Sequence, residues 1–396
     1  MNYEAKLPRL LYISDVPVES SYHGSALLYR LLQDYPPEKL LILERWPNLS
    51  SPHRRLPGVT YKKIPSGMMR LLPTRLHYLY APIFLILSWL DAWVLGWITR
   101  AHKSEGVLTV HHGYSWLSAA RLARQQGISL HMILHDDTSG VKSSFSWFQA
   151  MYRQRSKEAY QQAVSRQCVS PFMVEEYQRR FGAVGTVLFP GRAKDSPTFS
   201  GVIDRLKLPH ANLTVSFGGN IFSKGYADAV REMSEALALV GGRLLVFGPC
   251  RAEDANQWGL NRKNVEFRGL VSSVEMIHAF RAEADFIFIP MSFSAVDRAN
   301  MEISFPSKLT DSTIPGVPIL IYGPPYCSAV RWARENPEAA VVVDRQGVSF
   351  LRDALQSLRT EPEMRVILAE GVTRAGTKYF DYSKIRDQFF GCLKGA

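Results

Sequence analysis

Two lysines of this 396-residue chain stand where an apolar run gives way to a helical pattern, each beside residues small or polar enough to admit a phosphate. Lys308 lies in Phe305-Pro306-Ser307-Lys308-Leu309-Thr310-Asp311, ahead of a Pro315-Gly316 stop and an apolar run ending at Tyr322. Proline is tolerated in a first helical turn and Pro-Gly-x-Pro ends a helix, so the element is short and its start is fixed. A helix N-terminus offers unpaired N–H groups and partial positive charge; with Lys308, Ser307 and Ser304 it predicts a seat for a phosphate or diphosphate. Asp311 falls three residues on, on the same face, where a carboxylate can accept from paired ribose hydroxyls. Lys224 follows Gly218, Gly219 and Asn220 in Ser216–Tyr226. The two glycines permit close backbone approach and the lysine is a point charge for phosphate. Lys224 and Lys308 are expected to clamp one diphosphate from two sides.

A second group of candidates lies in the first half. His135-Asp136-Asp137 ends an apolar run, where a histidine beside a carboxylate can orient sugar hydroxyls or act as a base. Helix capping accounts for at least one of the two aspartates. His111-His112 invites a metal, but no third ligand stands at a useful spacing, so no metal ligation is expected. Gly24-Ser25 reads as a loop between the first strand and a helix from Ala26 to Gln33. No complete G-x-G-x-x-G is present, so a dinucleotide fingerprint is unsupported.

What must position these residues is a repeated alternation of strand and helix. Apolar runs of strand length fall at 9–14, 40–43, 59–64, 107–110, 130–134, 167–170 and 186–189, then at 213–217, 243–247, 265–268, 285–289, 318–322 and 340–343. Strands alternating with helices predict parallel sheets covered on both faces, here twice over. Ligands gather beyond the C-terminal ends of such strands. That singles out Ser14-Asp15, His111 to Gly113, His135 to Asp137, Gly218 to Asn220, Gly248, Gly269 and Pro290 to Phe293. The predicted organisation is a first Rossmann-like domain over 1–190, a Gly/Ser/Pro-rich linker over 191–210 and a second domain over 211–375. An aromatic helix over 376–396 would pack back on the first domain, with the active site in the cleft between domains.

Composition narrows the setting. Hydrophobic residues make up 46% of the chain, enough for a large core. Four cysteines lie far apart with no CxxC pair, which suits a reducing compartment; no cleavable signal peptide is visible, so a cytoplasmic protein is expected. The net charge is +11, and residues 1–190 hold 22 basic against 13 acidic residues, or +9 of it. Within residues 51–100 stand Arg54, Arg55, Lys62, Lys63, Arg70, Arg75 and Arg100 against Asp91 alone. Such a face attracts polyanions or an anionic bilayer, but no nucleic-acid reading motif accompanies it. Residues 81–98 are the most apolar segment, with Trp89, Trp93 and Trp97 on one helical face. Asp91 at its middle argues against crossing a membrane; the favoured expectation is a buried helix, and the competing one is contact with a membrane surface.

FPSKLTDSTIPGVPIL resembles the PxKxxEyxAxGxPvi segment of retaining glycosyltransferases of the GT-B fold, GT4 type. The resemblance extends in family order through SFGGNIFSKG, VFGP, VEFRGLV and SPFMVEEYQRRFG with VLFPG. It implies two Rossmann-like domains, the N-terminal one for the acceptor and the C-terminal one for a nucleotide sugar. It places Lys224 and Lys308 on the diphosphate, Asp311 on the ribose, and Gly269 and Leu270 at the base. Gly24 then matches the N-terminal glycine loop and His135 the histidine beside the transferred sugar, with His112 and Asp136 toward the acceptor. Gly218, Gly219, Asn220, Gly248 and Ser307 complete the donor set. Two departures stand out: Gly219 replaces an arginine, and Ile303 occupies the first position of an acidic pair, with Glu302 one residue away.

The implied activity is metal-independent, retaining transfer of a sugar from a nucleotide diphosphate sugar, UDP before GDP. The acceptor would be a cell-surface glycan or lipid-linked glycan at the inner face of a membrane, with no cofactor beyond the donor itself. A nucleotide-sugar 2-epimerase on the same fold and a non-catalytic glycosyltransferase-like subunit are the alternatives.

Overall fold

A computed structural model describes residues 7–20, 23–45, 47–65, 77–137, 146–209 and 212–394. Arg70 and Arg75 of the basic segment lie outside the described residues. The chain forms two compact units, residues 1–191 with 382–396, and residues 192–381.

Unit 1 contains β1 (Leu10–Ile13), β2 (Leu40–Glu44), β3 (Thr60–Lys63), β4 (Gly106–Val110), β5 (Ser129–Leu134), β6 (Ser165–Cys168) and β7 (Thr186–Val187). They pair in the order β3-β2-β1-β4-β5-β6-β7, every pair parallel. Its helices are α1 (His23–Leu32), α2 (His77–His102), α3 (Ser115–Gln126), α4 (Ser146–Gln162) and α5 (Pro171–Phe181), joined by the last helix of the chain. The central strands are buried end to end, as LLYI and GVLTV, which is why they read as continuous apolar runs rather than alternating ones. Edge strand β3, TYKK, is exposed and charged, a composition that discourages pairing with another chain.

Unit 2 repeats the plan. Its strands are β8 (Thr214–Gly218), β9 (Arg243–Phe247), β10 (Val265–Gly269), β11 (Phe286–Pro290), β12 (Ile319–Tyr322) and β13 (Val341–Val343), in the order β10-β9-β8-β11-β12-β13, again all parallel. Helices α6 (Lys224–Leu239), α7 (Ala252–Gln257), α8 (Ser273–Glu283), α9 (Arg298–Ile303), α10 (Ser307–Ser312), α11 (Ser328–Glu335), α12 (Val348–Thr360) and α13 (Pro362–Tyr379) accompany them; α14 (Tyr382–Lys394) belongs to unit 1. In both sheets the strand order reverses beside the first strand, at β1/β4 and at β8/β11. That topological switch opens a crevice outside the carboxyl ends of the strands.

All thirteen expected strands are present, and the difference at β6 has a local cause. It begins and ends two residues early because Ser170 is not strand but the N-cap of α5, its hydroxyl accepting from the Met173 N–H at 3.0 Å. The single aromatic helix expected from 376 is two helices. Phe380 is drawn into a cluster with Phe305 and Trp332 and closes α13, while Phe390 packs edge-on to Tyr35 in unit 1, centroids 5.6 Å apart. Arg386 pairs with Asp34 at 3.2 Å beside it.

The expectation that α2 is buried is overturned on one face. Phe84, Leu85, Ala92 and Leu95 are buried, but Trp89, Trp93 and Trp97 are 50%, 61% and 62% exposed. Asp91 turns inward to an ion pair with Arg45. Among the described residues no helix is long and apolar enough to cross a membrane.

After Gly191 the Ser- and Pro-rich stretch folds onto unit 2, with Leu206 buried. Arg365, fully buried, holds it: the guanidinium donates to the carbonyls of Leu206 at 3.1 Å and Arg359 at 3.0 Å, and to those of Leu358 and Leu208. Because this cation serves four carbonyls at once, Arg365→Met is expected to lower stability by about 3 kcal/mol, read as a reduced urea midpoint. An unchanged midpoint would mean that water replaces the guanidinium at no cost.

Candidate functional site

In unit 2 the site is built on a rim of glycines at successive strand ends. Gly219, Gly248 and Gly269 follow or end β8, β9 and β10 with φ of +139°, +148° and +71°. The Gly219 N–H donates to the Phe247 carbonyl at 2.7 Å and the Gly248 N–H to the Gly269 carbonyl at 2.8 Å, stitching the three ends together. A Cβ on Gly248 would lie 2.2 Å from the Gly219 carbonyl oxygen. Gly218 serves packing instead, since a Cβ there would meet Met276 and Phe280; its absence lets α8 lie beneath the rim. Leu270, next to Gly269, is 57% exposed.

Lys308 reaches this rim from α10. Its Nζ donates to the Asn220 carbonyl at 3.1 Å and lies 4.5 Å from the centre of the Phe217 ring and 5.4 Å from that of Tyr226. Burial pushes this amine down to about 7 from its ordinary 10.5. Gly219 must be glycine for this to happen, since a Cβ would sit 2.2 Å from the Lys308 Cε. The arginine that the resemblance puts at 219 is therefore replaced by space for the stem of Lys308. Because α10 has only six residues, the charge at this site comes from the amine far more than from a helix dipole.

The other expected donor residues make contacts of their own. Lys224 opens α6, but its side chain is 87% exposed and its Nζ pairs with Asp228 one turn on, at 2.9 Å. A local i,i+4 carboxylate therefore holds the Lys224 amine that the clamp would direct at the diphosphate. The next residue, Gly225, brings α6 against the segment that follows β11, where a Cβ would lie 1.9 Å from Ser292 Oγ. Ser307 is exposed, and Ser304 closes α9 and accepts from Ser328 through its carbonyl. Asp311 faces Arg192: burial draws that guanidinium below its ordinary value, and the carboxylates of Asp311 and Asp381 oppose the shift. Ile303 is buried, and Glu302, one residue away, pairs with Arg298 at 2.8 Å. Phe217 near the end of β8 and Tyr226 in the first turn of α6 bracket the Lys308 amine; aromatics at such places read as core in a sequence.

In unit 1 the switch between β1 and β4 brings together residues far apart in sequence. Asp15, just beyond β1, accepts from the N–H groups of Tyr114 and Ser115 and from the Ser115 hydroxyl at 2.6 Å, capping α3 from a neighbouring strand end. His111 turns inward: Nε2 lies 3.1 Å from Ser156 Oγ, and burial lowers its value to about 3. His112 turns the other way and meets the end of β5. Its Nδ1 is 3.9 Å from Asp136 Oδ2, which is 3.2 Å from His135 Nε2; the two imidazole centroids are 5.4 Å apart. Burial lowers the His112 value first, and the neighbouring His135 charge adds to the effect.

His135 Nδ1 is buried without a hydrogen-bond partner among the described residues. It points toward Gly24, where a Cβ would sit 3.1 Å from His135 Cε1. Gly24 therefore matters through its missing side chain, not as a loop; it lies in the first turn of α1. Asp137 is committed to Arg180 at 2.8 Å.

Sequence spacing offered no third metal donor beside His111 and His112, yet His112, His135 and Asp136 place three potential donor atoms within 4.8 Å of one another. The second and third donors come from the adjacent strand end, a proximity created by the sheet. The same carboxylate lies within 4 Å of a ring nitrogen of each imidazole, an arrangement that suits hydroxyl recognition equally well. Unit 1 also has a recess of about 620 Å³ between α4 and α5, lined among others by Tyr152, Arg153, Lys157, Tyr177 and Arg180.

No protein-family model matches the sequence, and no curated protein is significantly similar to it. Solved structures do match over nearly the whole chain. Anabaena HepE in complex with UDP is similar with a TM-score of 0.63 and 12% identity, covering 98% of this chain and 100% of that one. A glycosyltransferase from Rickettsia africae has a TM-score of 0.65 and 12% identity, covering 97% of each chain. WaaG, a glycosyltransferase involved in lipopolysaccharide biosynthesis, has a TM-score of 0.62 and 14% identity, covering 98% of this chain and 100% of that one. The fold is GT-B, as the resemblance implied.

Proposed function

We propose that the protein is a glycosyltransferase that transfers a sugar from a nucleotide diphosphate sugar, a UDP-sugar before a GDP-sugar, with retention at the anomeric carbon. Unit 2 takes the donor and unit 1 the acceptor, a glycan or lipid-linked glycan at the cytoplasmic face of a membrane. The observation that carries the reading is the Lys308 amine at the β8/β11 switch of unit 2, set against a rim of strand-end glycines. A buried amine is a strong partner for developing diphosphate charge, and a glycine rim lets the nucleotide reach backbone groups. Asp311 is assigned to the ribose and Gly269-Leu270 to the base. His135, with a ring nitrogen unpartnered among the described residues, is assigned to the sugar, and His112 and Asp136 to the acceptor. Lys224 joins the diphosphate by exchanging Asp228 for it. No metal is assigned a step.

Titrating the full chain with UDP-glucose, other UDP-sugars and GDP-sugars by calorimetry and thermal shift tests this. A UDP-sugar is expected to raise the melting temperature, since a ligand that binds the native state stabilises it by mass action. Transfer to a glycan acceptor is expected to survive a chelator. Failure of every nucleotide sugar to bind would overturn the reading. Binding without transfer would favour the non-catalytic subunit, and a converted donor without acceptor would favour the epimerase.

A further inference from the structure

A helix packed on a globular unit ordinarily turns its apolar arc inward and a polar arc outward. Helix α2 does the first and not the second. Its inner arc, with Leu85, Ala92 and Leu95, is buried, and Arg121 of α3 donates to the Leu85 carbonyl at 3.3 Å. Its outer arc carries Trp89, Leu90, Trp93, Val94 and Trp97, all 43% to 62% exposed. The one acid of the segment, Asp91, is withdrawn from that arc by Arg45. Exposed apolar surface of this extent, with three indoles in line, marks a contact with something apolar.

Charge identifies the contact. At the C-terminal end of α2 the Arg100 guanidinium lies over the Trp97 ring, 5.8 Å from its centroid, and Lys103 is exposed just beyond. Lys62 and Lys63 are exposed on β3, whose register sets Lys63 against Glu44, the neighbour in sequence of the Arg45 that pairs with Asp91. Cations therefore border the indole arc at the C-terminal end of α2, and two more are exposed on edge strand β3 of the same unit. Residues 1–190 carry 22 basic against 13 acidic residues, so two copies meeting through this face would bring like charges together. An anionic lipid surface has the opposite sign.

We infer that the outer arc of α2 is a membrane-docking face, lying flat among the headgroups of a bilayer that contains anionic lipid. Indole rings favour that depth, with an apolar body and one N–H donor, and the bordering cations meet lipid phosphates. The helix lies along the surface because its inner arc is fixed to α3. This inference does not rest on the transferase reading, since it is measured without donor or acceptor.

The test uses the full chain with vesicles of phosphatidylcholine alone or with one third phosphatidylglycerol. Co-sedimentation with the anionic vesicles and a blue shift of tryptophan emission are expected, with binding weakened about tenfold or more in high salt or on the neutral vesicles. Trp89→Gln/Trp93→Gln/Trp97→Gln is expected to lower partitioning about tenfold or more while leaving far-ultraviolet circular dichroism and donor-induced thermal shift unchanged. Lys62→Gln/Lys63→Gln, at exposed edge positions, should reduce binding and flatten its salt dependence without touching the indoles. Wild-type protein that stays in the supernatant with anionic vesicles, or a triple variant that binds as well as wild type, overturns the inference. A dimer by light scattering that the triple variant dissolves, with no vesicle binding, assigns the face to a second copy instead.

Discussion

Lys308→Ala is expected to lower kcat by about 10²–10³-fold, the usual cost of removing one preorganised group from a developing charge, and to weaken donor binding as well. The fold should survive the change. An amine whose native value is near 7 against an ordinary 10.5 is held at a cost whenever it is charged. The unfolded chain binds the extra proton between those values, so the wild-type protein gains stability as pH rises from about 7 toward 10.5 and carries the full burden below 7. Lys308→Ala should therefore look most stable relative to wild type in acid, and the advantage should shrink above neutrality.

Donor binding has the opposite sign. A diphosphate favours the ammonium form, so binding a nucleotide sugar near pH 8 must return a proton to Lys308. Calorimetry in buffers of different ionisation enthalpy should show uptake of close to one proton in wild type and none in the variant. Affinity should fall as pH rises through and above 7. Wild-type protein that takes up no proton and binds equally well from pH 6.5 to 9 would remove Lys308 from the diphosphate.

How far such a site can be read from sequence is clear from its parts. Continuous apolar runs such as FIFIP and ILIY are legible because strands buried on both faces have no polar alternation to blur them. The glycines after β8, β9 and β10 are legible because backbone with positive φ excludes most side chains. Side-chain direction is not. Lys224 opens a helix soon after β8 while Lys308 sits in the first turn of α10, which follows α9 rather than a strand; one finds an i,i+4 aspartate and the other runs over Gly219 into an aromatic cage. The His112–Asp136–His135 cluster was invisible for a related reason: it forms only when β5 is laid beside β4, and spacing along one strand says nothing about the next. The tryptophan helix misleads differently. Apolar content says that a helix meets something apolar, and in α2 the protein core supplies that partner for one arc alone.

Gly248→Ala is expected to be strongly damaging to unit 2, and a matched substitution at the neighbouring strand end isolates the reason. At Gly248 the backbone has φ of +148°, which costs an L-residue about 1–3 kcal/mol. The added Cβ would also stand 2.2 Å from the Gly219 carbonyl oxygen, a backbone atom that cannot rotate aside. Overpacking of this kind adds roughly 1–3 kcal/mol, for a total of about 2–6 kcal/mol and a drop on the order of 10 °C in the melting of unit 2. Relief can come only from moving Gly219, and the stem of Lys308 lies against Gly219, so donor affinity should fall with stability. Gly269→Ala supplies the contrast. Its φ of +71° is also unfavourable, but nothing lies within 4 Å of the added Cβ, leaving a cost of about 1–2 kcal/mol from backbone alone. If the two alanine variants melt together, the close approach of Gly248 to Gly219 is not what holds the rim. If Gly248→Ala melts far below Gly269→Ala yet binds the donor as wild type does, Lys308 does not depend on the position of Gly219.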